Sequence, residues 1–246
     1  MPRRRANTDI HRPVVWVMGA SRGIGREIAK QFASIGCRVC LSGHDANALT
    51  SAVKEILALG GTAASFPCNV AHPVSILATS KKIKKTYGDV DVLVNNAGIT
   101  VFKSFLDTRL NEFSDIIDTN LFGHIACIKA VLPSMVKRKS GWIINILSNA
   151  AVKTFEGSAA YTATKTGMLG LGRVLREEMR QHGVKVVNVI PGATSTEMWS
   201  PVMRRRHTHR MMTAKSVAEA VLAAYRMPDD IVVDEMLIRP MKGDID

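Results

Sequence analysis

The sequence predicts an α/β fold in which a doubly wound parallel sheet of about seven strands carries helices on both faces. Three observations lead to this expectation. Short apolar runs alternate with longer helical patterns, a glycine-rich turn lies between the first apolar run and the first helix, and no internal repeat divides the chain. Because parallel strands need crossover connections, which helices supply, this alternation predicts a parallel sheet covered on both sides.

The same patterns place each element. Strands are expected at residues 14–18, 38–42, 63–67, 92–95, 142–147, 185–190 and 231–238. Helices are expected at residues 23–35, 46–59, 73–87, 111–138, 159–182 and 214–225. In a Rossmann-type sheet of this kind, ligands bind beyond the carboxyl ends of the strands, so functional residues should follow strands.

Length and composition indicate a single domain. The chain has 246 residues, of which 46% are hydrophobic, enough for one large core. We expect one domain over residues 14–246, a flexible basic arm at residues 1–13 and a substrate lid near residues 195–213. The longest apolar runs are far shorter than the roughly 20 residues that cross a bilayer. The basic start lacks the apolar core of a secretory signal, so a cytoplasmic protein without membrane association is expected.

The formal charge of +12 favours anionic partners. Basic residues cluster at residues 3–5, 81–85, 137–139 and 204–210. Aromatic residues do not interleave these clusters and no nucleic-acid-binding motif is visible, so nucleic acid is not the partner we expect. A solvated basic surface is the default interpretation of each cluster.

Four cysteines are present, two of them close in sequence. Cys37 and Cys40 are three residues apart on an expected strand, so their side chains should point to opposite faces. Such a pair cannot easily share a metal ion or form a disulfide. We therefore expect free thiols, no metal site and a reducing compartment.

The glycine turn predicts nucleotide binding. It reads Gly19-Ala20-Ser21-Arg22-Gly23-Ile24-Gly25 and lies directly between the first strand and the first helix. Glycine lets the backbone turn tightly and approach a pyrophosphate, while the helix amino terminus offers unpaired N–H groups. Such a turn can serve packing alone, but its place at the first strand–helix junction favours a dinucleotide.

Four polar residues are candidates for catalysis. Tyr161 and Lys165 are four apart at the start of an expected helix, so both lie on one face. A neighbouring ammonium favours the ionised phenol, so we expect the pKa of Tyr161 to fall from about 10 toward working pH. Ser148 ends a buried strand, where its hydroxyl could bond a reacting oxygen. Asn120 lies inside a long expected helix, where asparagine is mildly unfavourable unless its amide has a use.

These residues belong to a larger set of motifs that follow one another along the chain. The set consists of Gly19, Gly23 and Gly25, then Asn95-Asn96-Ala97-Gly98, Asn120, Ser148, Tyr161-Thr162-Ala163-Thr164-Lys165 and Pro191-Gly192. It resembles the short-chain dehydrogenase/reductase family over residues 14–240, and within it the 3-oxoacyl-carrier-protein reductases and related NADP-dependent ketone reductases. Two positions depart from the family. Met18 replaces a usual threonine whose hydroxyl ties the turn to the Asn95 segment, and Asn69 replaces a common aspartate.

The resemblance implies a role for each residue. Tyr161 would be the acid or base, Ser148 would orient the carbonyl, Lys165 would hold the nicotinamide ribose, and Asn120 would help to hold a proton-relaying water. The implied cofactor-binding residues are Gly19, Ser21, Arg22, Gly23, Ile24, Gly25, Gly43, His44, Asn69, Val70, Asn96, Ala97, Gly98, Tyr161, Lys165, Pro191, Gly192, Thr194 and Thr196.

The cofactor choice can be argued from charge. An acidic residue after the second strand would bond a ribose diol but repel a 2′-phosphate. By the resemblance, the selecting position falls near Gly43, which is uncharged, and Arg22 can reach the extra phosphate. NADP(H) is therefore favoured over NAD(H), although Asp45 opposes this choice and His44 adds positive charge only when protonated.

We therefore expect an NADP(H)-dependent oxidoreductase that moves a hydride between nicotinamide and a carbonyl or secondary alcohol, with a 3-oxoacyl thioester as one substrate class. A dehydrogenase of a small hydroxylated metabolite is the alternative, and so is a non-catalytic nucleotide- or nucleic-acid-binding protein on the same fold. The basic lid, with Lys139 and Arg176, would receive an acidic acyl carrier protein. By the resemblance, a homodimer or homotetramer would form through the helices at residues 111–138 and 159–182.

Overall fold

The computed structural model describes residues 12–243 and residue 245. The basic arm expected at residues 1–13 lies outside the described residues up to residue 11. The strands are β1 (Val14–Met18), β2 (Arg38–Ser42), β3 (Thr62–Ser65), β4 (Val92–Asn95), β5 (Gly141–Ile146), β6 (Val184–Pro191), β7 (Thr194–Ser195), β8 (Met212–Thr213) and β9 (Glu235–Ile238). The helices are α1 (Gly23–Ser34), α2 (Ala46–Ala58), α3 (Pro73–Tyr87), α4 (Leu110–Ile117), α5 (Gly123–Arg138), α6 (Ala159–Arg180), α7 (Pro201–His207) and α8 (Ala214–Tyr225).

The main sheet confirms the predicted fold class. Its seven strands run in the order β3-β2-β1-β4-β5-β6-β9, and neighbouring strands are parallel. The chain builds outward from β1 in one direction and from β4 in the other. The connections that leave these two strands therefore diverge and open a crevice at their carboxyl ends. β7 and β8 form a separate parallel pair beyond that edge.

Each face of the sheet has its own core. Val17 of β1 packs in a core with Phe32 and Val221, while the neighbouring Trp16 packs in the opposite core with Met135. Alternation of side chains along a buried parallel strand produces this division. The cysteine pair follows the same rule, because Cys37 belongs to the first core and Cys40 to the second.

A ladder of three asparagines crosses the second face of the sheet. Asn95 Nδ2 donates to Asn145 Oδ1 and Asn145 Nδ2 donates to Asn188 Oδ1, each at 3.0 Å. The three residues are in register on β4, β5 and β6 and are fully buried. Because buried amides are costly unless they are paired, the ladder fixes the relative register of the three strands that end at the crevice.

Several predicted element bounds were wrong, most of them by one or two residues. β3 ends at Ser65 rather than at residue 67, although the Phe66 N–H still donates to the Leu41 carbonyl at 2.8 Å. β9 begins at Glu235 rather than at residue 231, and the Ile231 carbonyl accepts from Lys185 Nζ instead of pairing in a strand. The helix expected at residues 111–138 is divided into α4 and α5 by a π-helical turn at Asp118–Phe122.

The helical run from Leu110 to Arg138 is long and apolar enough, by length and composition alone, to cross a membrane. Its side chains Cys127, Val131 and Met135 are buried in the second core. Packing against the sheet therefore accounts for part of its apolar composition.

Candidate active site

The glycine turn lies at the crevice, between β1 and α1. Gly19 and Gly23 adopt left-handed φ angles of 73° and 55°, which favour glycine. A Cβ on Gly25 would overlap the carbonyl oxygen of Gly19, so a side chain cannot fit there. Within the described residues, no side chain caps the amino end of α1 and no acidic residue lies in its first turn. Those N–H groups can therefore receive an anion.

Asn96 fastens the glycine turn to the end of β4. Its Nδ2 donates to the Gly19 carbonyl at 2.9 Å, and a Cβ on Gly19 would lie 2.7 Å from the Cα of Ala97. Met18, which replaces the family's threonine, is fully buried in the second core. The turn is thus tied to this segment without the hydroxyl that the family pattern provides.

The segment after β2 brings Arg22 and Asp45 together. A carboxylate oxygen of Asp45 accepts from the Ala48 N–H at 3.0 Å and so caps α2, and the other lies 3.3 Å from the Arg22 guanidinium. Gly43 faces Ser21, since a Cβ on Gly43 would lie 3.8 Å from the Ser21 hydroxyl. Arg22 therefore lies where the sequence predicted, and the acidic residue that opposes a 2′-phosphate is already engaged by a cap and a cation.

Asn69 and Val70 follow β3 at the same edge. Asn69 Oδ1 accepts from the Ala71 N–H at 3.0 Å, which closes a short turn. The Val70 carbonyl oxygen lies so close to Gly123, the first residue of α5, that a Cβ there would overlap it. This strand end is therefore packed directly on the start of the helix that follows the π-helical turn.

Asn120 lies in the π-helical turn, fully buried, and its amide is used completely. Oδ1 accepts from the Ile99 N–H at 2.9 Å, and Nδ2 donates to the Ile99 carbonyl at 2.8 Å and to the Thr164 hydroxyl at 3.4 Å. A Cβ on Gly98 would lie 3.4 Å from Asn120 Oδ1 and 3.9 Å from Lys165 Nζ. The Asn120 side chain therefore positions the segment after β4.

Ser148, Tyr161 and Lys165 meet beside that segment. Ser148 follows β5 and its Oγ accepts from the Ala150 N–H at 3.2 Å. Lys165 Nζ donates to the Ile146 carbonyl at 2.9 Å and lies 5.5 Å from the centre of the Tyr161 ring. Both Tyr161 and Lys165 are buried. The structure thus brings the four predicted catalytic residues to one place at the carboxyl edge of the sheet.

The predicted direction of the Tyr161 pKa shift was wrong. Burial raises the pKa of Tyr161 to about 12, and a hydrogen bond with Ser148 only partly offsets this. Burial also lowers the pKa of Lys165 to about 8. Removal of both groups from water disfavours their charged forms more than their proximity favours them. The phenol is therefore protonated at neutral pH and available as a proton donor.

The loop after β6 returns over the glycine turn. The Gly192 N–H donates to the Ile238 carbonyl at 2.7 Å, and Thr194 is buried with its hydroxyl on the Gly192 carbonyl at 3.0 Å. A Cβ on Gly23 would lie 3.2 Å from the methyl of Thr196. Pro191, which ends β6, thus leads into a loop that closes one side of the crevice.

His124 is a site residue that the sequence reasoning missed. It lies one residue into α5 and is 1% exposed, and its Nε2 has no hydrogen-bond partner among the described residues. Burial and, to a lesser extent, the charge of Lys165 lower its pKa to about 3, while a hydrogen bond to the Ala97 backbone opposes both. The imidazole is therefore neutral beside the lysine. No periodic pattern or motif in the sequence indicates that His124 is buried beside Lys165.

Lys139 and Arg176 do not belong to the site, contrary to expectation. Lys139 precedes β5 and Arg176 bonds the Val186 carbonyl at 3.1 Å near the start of β6, so both lie at the amino end of the sheet. Arg176 is also buried and donates to the Asp234 carbonyl at 2.6 Å. Neither residue can join the basic lid in receiving a partner.

Comparison with known proteins agrees with this geometry. A family model described as short chain dehydrogenase matches residues 13–207. The 3-oxoacyl-[acyl-carrier-protein] reductase of Synechocystis sp. is 35% identical over 225 residues, covering 91% of this chain and 87% of that protein.

Two solved structures share the fold. A metagenomic short-chain oxidoreductase in complex with NADP is 35% identical, covers 93% of this chain and 97% of its own, and superimposes with a TM-score of 0.83. A single-residue variant of the actinorhodin polyketide ketoreductase, solved with NADPH, is 28% identical, covers 95% and 98% of the two chains, and has a TM-score of 0.88.

The depressed pKa of His124 predicts a loss of stability in acid. The unfolded chain takes up a proton near the ordinary pKa of 6.5, whereas the folded imidazole does so only near pH 3. The free energy of unfolding should therefore decline as the pH falls from about 6.5 toward 3. Urea unfolding at a series of pH values should show a shallower decline for His124→Leu than for the wild type. The exposed His72→Gln variant is the control, and equal slopes for His124→Leu and wild type would contradict the assignment.

Proposed function

Because the chain belongs to the short-chain dehydrogenase family, we propose that this oxidoreductase reduces a ketone with NADPH, using Tyr161 as the proton donor. The observation that carries this proposal is the convergence of Ser148, Tyr161 and Lys165 beside Gly98 at the carboxyl edge of the sheet. NADPH supplies the hydride when it is bound. The uncapped start of α1 and the left-handed glycines Gly19 and Gly23 of the turn before it fit a pyrophosphate at that edge.

Each residue then has a chemical task. Ser148 shares a hydrogen bond with the phenol and orients the carbonyl oxygen between them. As hydride reaches the carbonyl carbon, the oxygen gains electrons and takes the phenol proton, giving an alcohol. Lys165, fixed by the Ile146 carbonyl, stabilises the phenolate left behind and holds the nicotinamide ribose. Oxidation of an alcohol would use the same groups in reverse.

The cofactor preference for NADP(H) over NAD(H) rests on Arg22. Its guanidinium is half-exposed and lies 3.3 Å from Asp45, so the side chain can exchange that carboxylate for a 2′-phosphate. Asp45 accepts a hydrogen bond from the Ala48 N–H at the start of α2, and this cap would keep its carboxylate from binding the ribose diol. The 2′-phosphate would replace one anionic partner of Arg22 with a more strongly charged one.

For the substrate, we propose a 3-oxoacyl thioester carried by an acidic protein. The Synechocystis relative is named for such a reaction, and α7 presents Arg204, Arg205, Arg206 and His207 in its last turn. Of these four, only Arg204 has an acidic neighbour among the described residues, with Glu197 at 3.9 Å. The segment between β7 and β8 would act as the lid.

We also propose a cytoplasmic homodimer or homotetramer. Apolar side chains are exposed along the helices that the family resemblance implicates, with Leu110 86%, Phe122 59% and Val174 58% exposed. An interface between copies along these helices would cover these side chains.

Replacement Tyr161→Phe should abolish turnover while leaving NADPH affinity within a few-fold of wild type. Loss of a general acid typically lowers kcat by roughly 10²–10⁴-fold. Steady-state kinetics on a 3-oxoacyl thioester and NADPH fluorescence titration measure the two effects. Tyr87→Phe, which changes a tyrosine packed on Phe66 away from the site, is the matched control. Retention of most activity in Tyr161→Phe would remove the phenol from the reaction.

Replacement Arg22→Ala should weaken NADPH binding by roughly 10–100-fold, the value of a hydrogen bond to a charged group. NADH binding should change much less, because NADH has no 2′-phosphate. Fluorescence titration with both nucleotides makes each variant its own control. Equal losses for the two nucleotides would mean that Arg22 does not read the phosphate.

The triple variant Arg204→Gln, Arg205→Gln and Arg206→Gln tests carrier docking. We expect kcat/KM on a 3-oxoacyl carrier protein to fall by about tenfold or more at low salt, and the loss to shrink as salt rises. On the uncharged N-acetylcysteamine thioester the loss should be much smaller. If both substrates lose activity equally, α7 does not dock the carrier.

A further inference from the structure

Two aromatic rings bridge the opening of the crevice. Phe102, on the loop between β4 and α4, and Trp199, on the segment before α7, stack with ring centres 6.4 Å apart and planes 24° apart. This pair is here called the aromatic bridge. Its two members come from loops that are remote in sequence, so the contact joins the two sides of the site.

Phe102 is held close to the catalytic residues. The backbone of Ile99 is clasped by Asn120, and the Lys103 N–H donates to the Gly157 carbonyl at 2.9 Å. Gly157 lies four residues before Tyr161 on the loop that leads into α6. Phe102 is thus fixed between a point tied to the π-helical turn and a point tied to the start of the tyrosine helix.

Trp199 is held on the nucleotide side. Its backbone N–H donates to the Thr196 carbonyl at 3.2 Å, and Thr196 lies against Gly23 of the glycine turn. The aromatic bridge therefore runs from the loop over the glycine turn to the loop beside Tyr161. The two rings thus lie on the segments that are tied to the glycine turn and to the start of the Tyr161 helix.

The surface around the aromatic bridge is apolar. Phe102 remains 57% exposed despite the stack, and Ile99, Val152 and Met198, on the same bordering segments, are 42%, 53% and 44% exposed. Apolar surface left open next to a catalytic group is typical of a ligand-binding cleft. Charged groups border this apolar surface, because Glu197 pairs with Arg204 of α7 and Lys103 pairs with Glu112.

We propose that the aromatic bridge binds the apolar part of the substrate beyond the reacting carbonyl, and that this part is an alkyl chain. The enzyme then selects longer 3-oxoacyl chains over acetoacetyl ones, because the rings and their apolar neighbours shield the chain from water. This assignment rests on the proposed ketone reduction, since it places the chain next to Tyr161. The basic α7 beside the rings suits the anionic carrier at the other end of the same thioester.

The test is the dependence of kcat/KM on chain length. The substrates are 3-oxoacyl N-acetylcysteamine thioesters with four to twelve acyl carbons, and each methylene that is fully buried should raise kcat/KM by about fourfold until the cleft is filled. Phe102→Ala and Trp199→Ala should flatten this rise. Phe105→Ala is the matched control, because Phe105 lies on the same loop but packs on Phe113 rather than on Trp199, and it should keep the wild-type rise. A flat wild-type series, or an unchanged rise in both bridge variants, would overturn the assignment.

A second measurement does not depend on turnover. The sequence has three tryptophans, of which Trp16 is buried in the core, Trp142 packs on Tyr225, and Trp199 lies at the crevice. Decanoyl N-acetylcysteamine, which lacks the reacting ketone, should change the tryptophan emission of the NADP⁺-loaded protein. Trp199→Phe should lose this change while keeping the chain-length preference, because phenylalanine preserves an apolar ring.

The two measurements separate failure of the inference from failure of the proposed function. If no 3-oxoacyl thioester is reduced but the Trp199-dependent emission change persists, ketone reduction of these substrates is wrong and the aromatic bridge still binds the chain. If turnover proceeds with no chain-length preference and no emission change, the aromatic bridge does not bind the chain and the reductase proposal stands.

Discussion

Two hydrogen bonds between the Asn120 amide and the backbone of Ile99 fix the segment on which the rest of the site depends. On one side of Ile99 this segment carries Asn96, which fastens the glycine turn, and on the other it carries Phe102, which borders the substrate opening. Asparagine is poorly suited to a regular helix because its amide competes for backbone groups. Here the competition is used, since the wider π-helical turn gives the amide a position from which it can bond another chain segment.

Burial sets the protonation states of the titratable groups near Asn120. Tyr161, Lys165 and His124 lie together out of water, so each is pushed toward its uncharged form. Lys165 keeps most of its charge at neutral pH, because its pKa stays near 8, and the histidine beside it is neutral. In the proposed reduction, the phenol would therefore supply the proton, and the buried ammonium would balance the phenolate that results. A second buried cation beside Lys165 would be costly, and the His124 imidazole therefore stays neutral.

Much of this could be predicted from the sequence, because the signals were local. The alternation of strands and helices, the glycine turn and the Tyr161–Lys165 spacing are short-range patterns, and the structure places them as expected. Properties that depend on three-dimensional packing could not be predicted. Helical periodicity does not register one extra residue in a turn, so the π-helical interruption at Asn120 was missed. The sequence shows the positive charge near α5 and α6. It does not show that Arg176 is buried at the amino end of the sheet. The pKa of Tyr161 was misjudged for the same reason, since burial is absent from a linear pattern.

The segment between β7 and β8 is held to the rest of the fold at both of its ends. The Met212 N–H donates to the Ala193 carbonyl at 2.9 Å, so the segment leaves and re-enters the fold at one place. Within it, Ser200 caps α7 by accepting from the Met203 N–H, and Trp199 provides its aromatic contact across the crevice. Two contacts join this segment to opposite sides of the crevice, Trp199 to Phe102 and Thr196 to Gly23. Because Phe102 is itself fixed through Ile99, the Asn120 bonds that position the segment after β4 also set the first of these contacts.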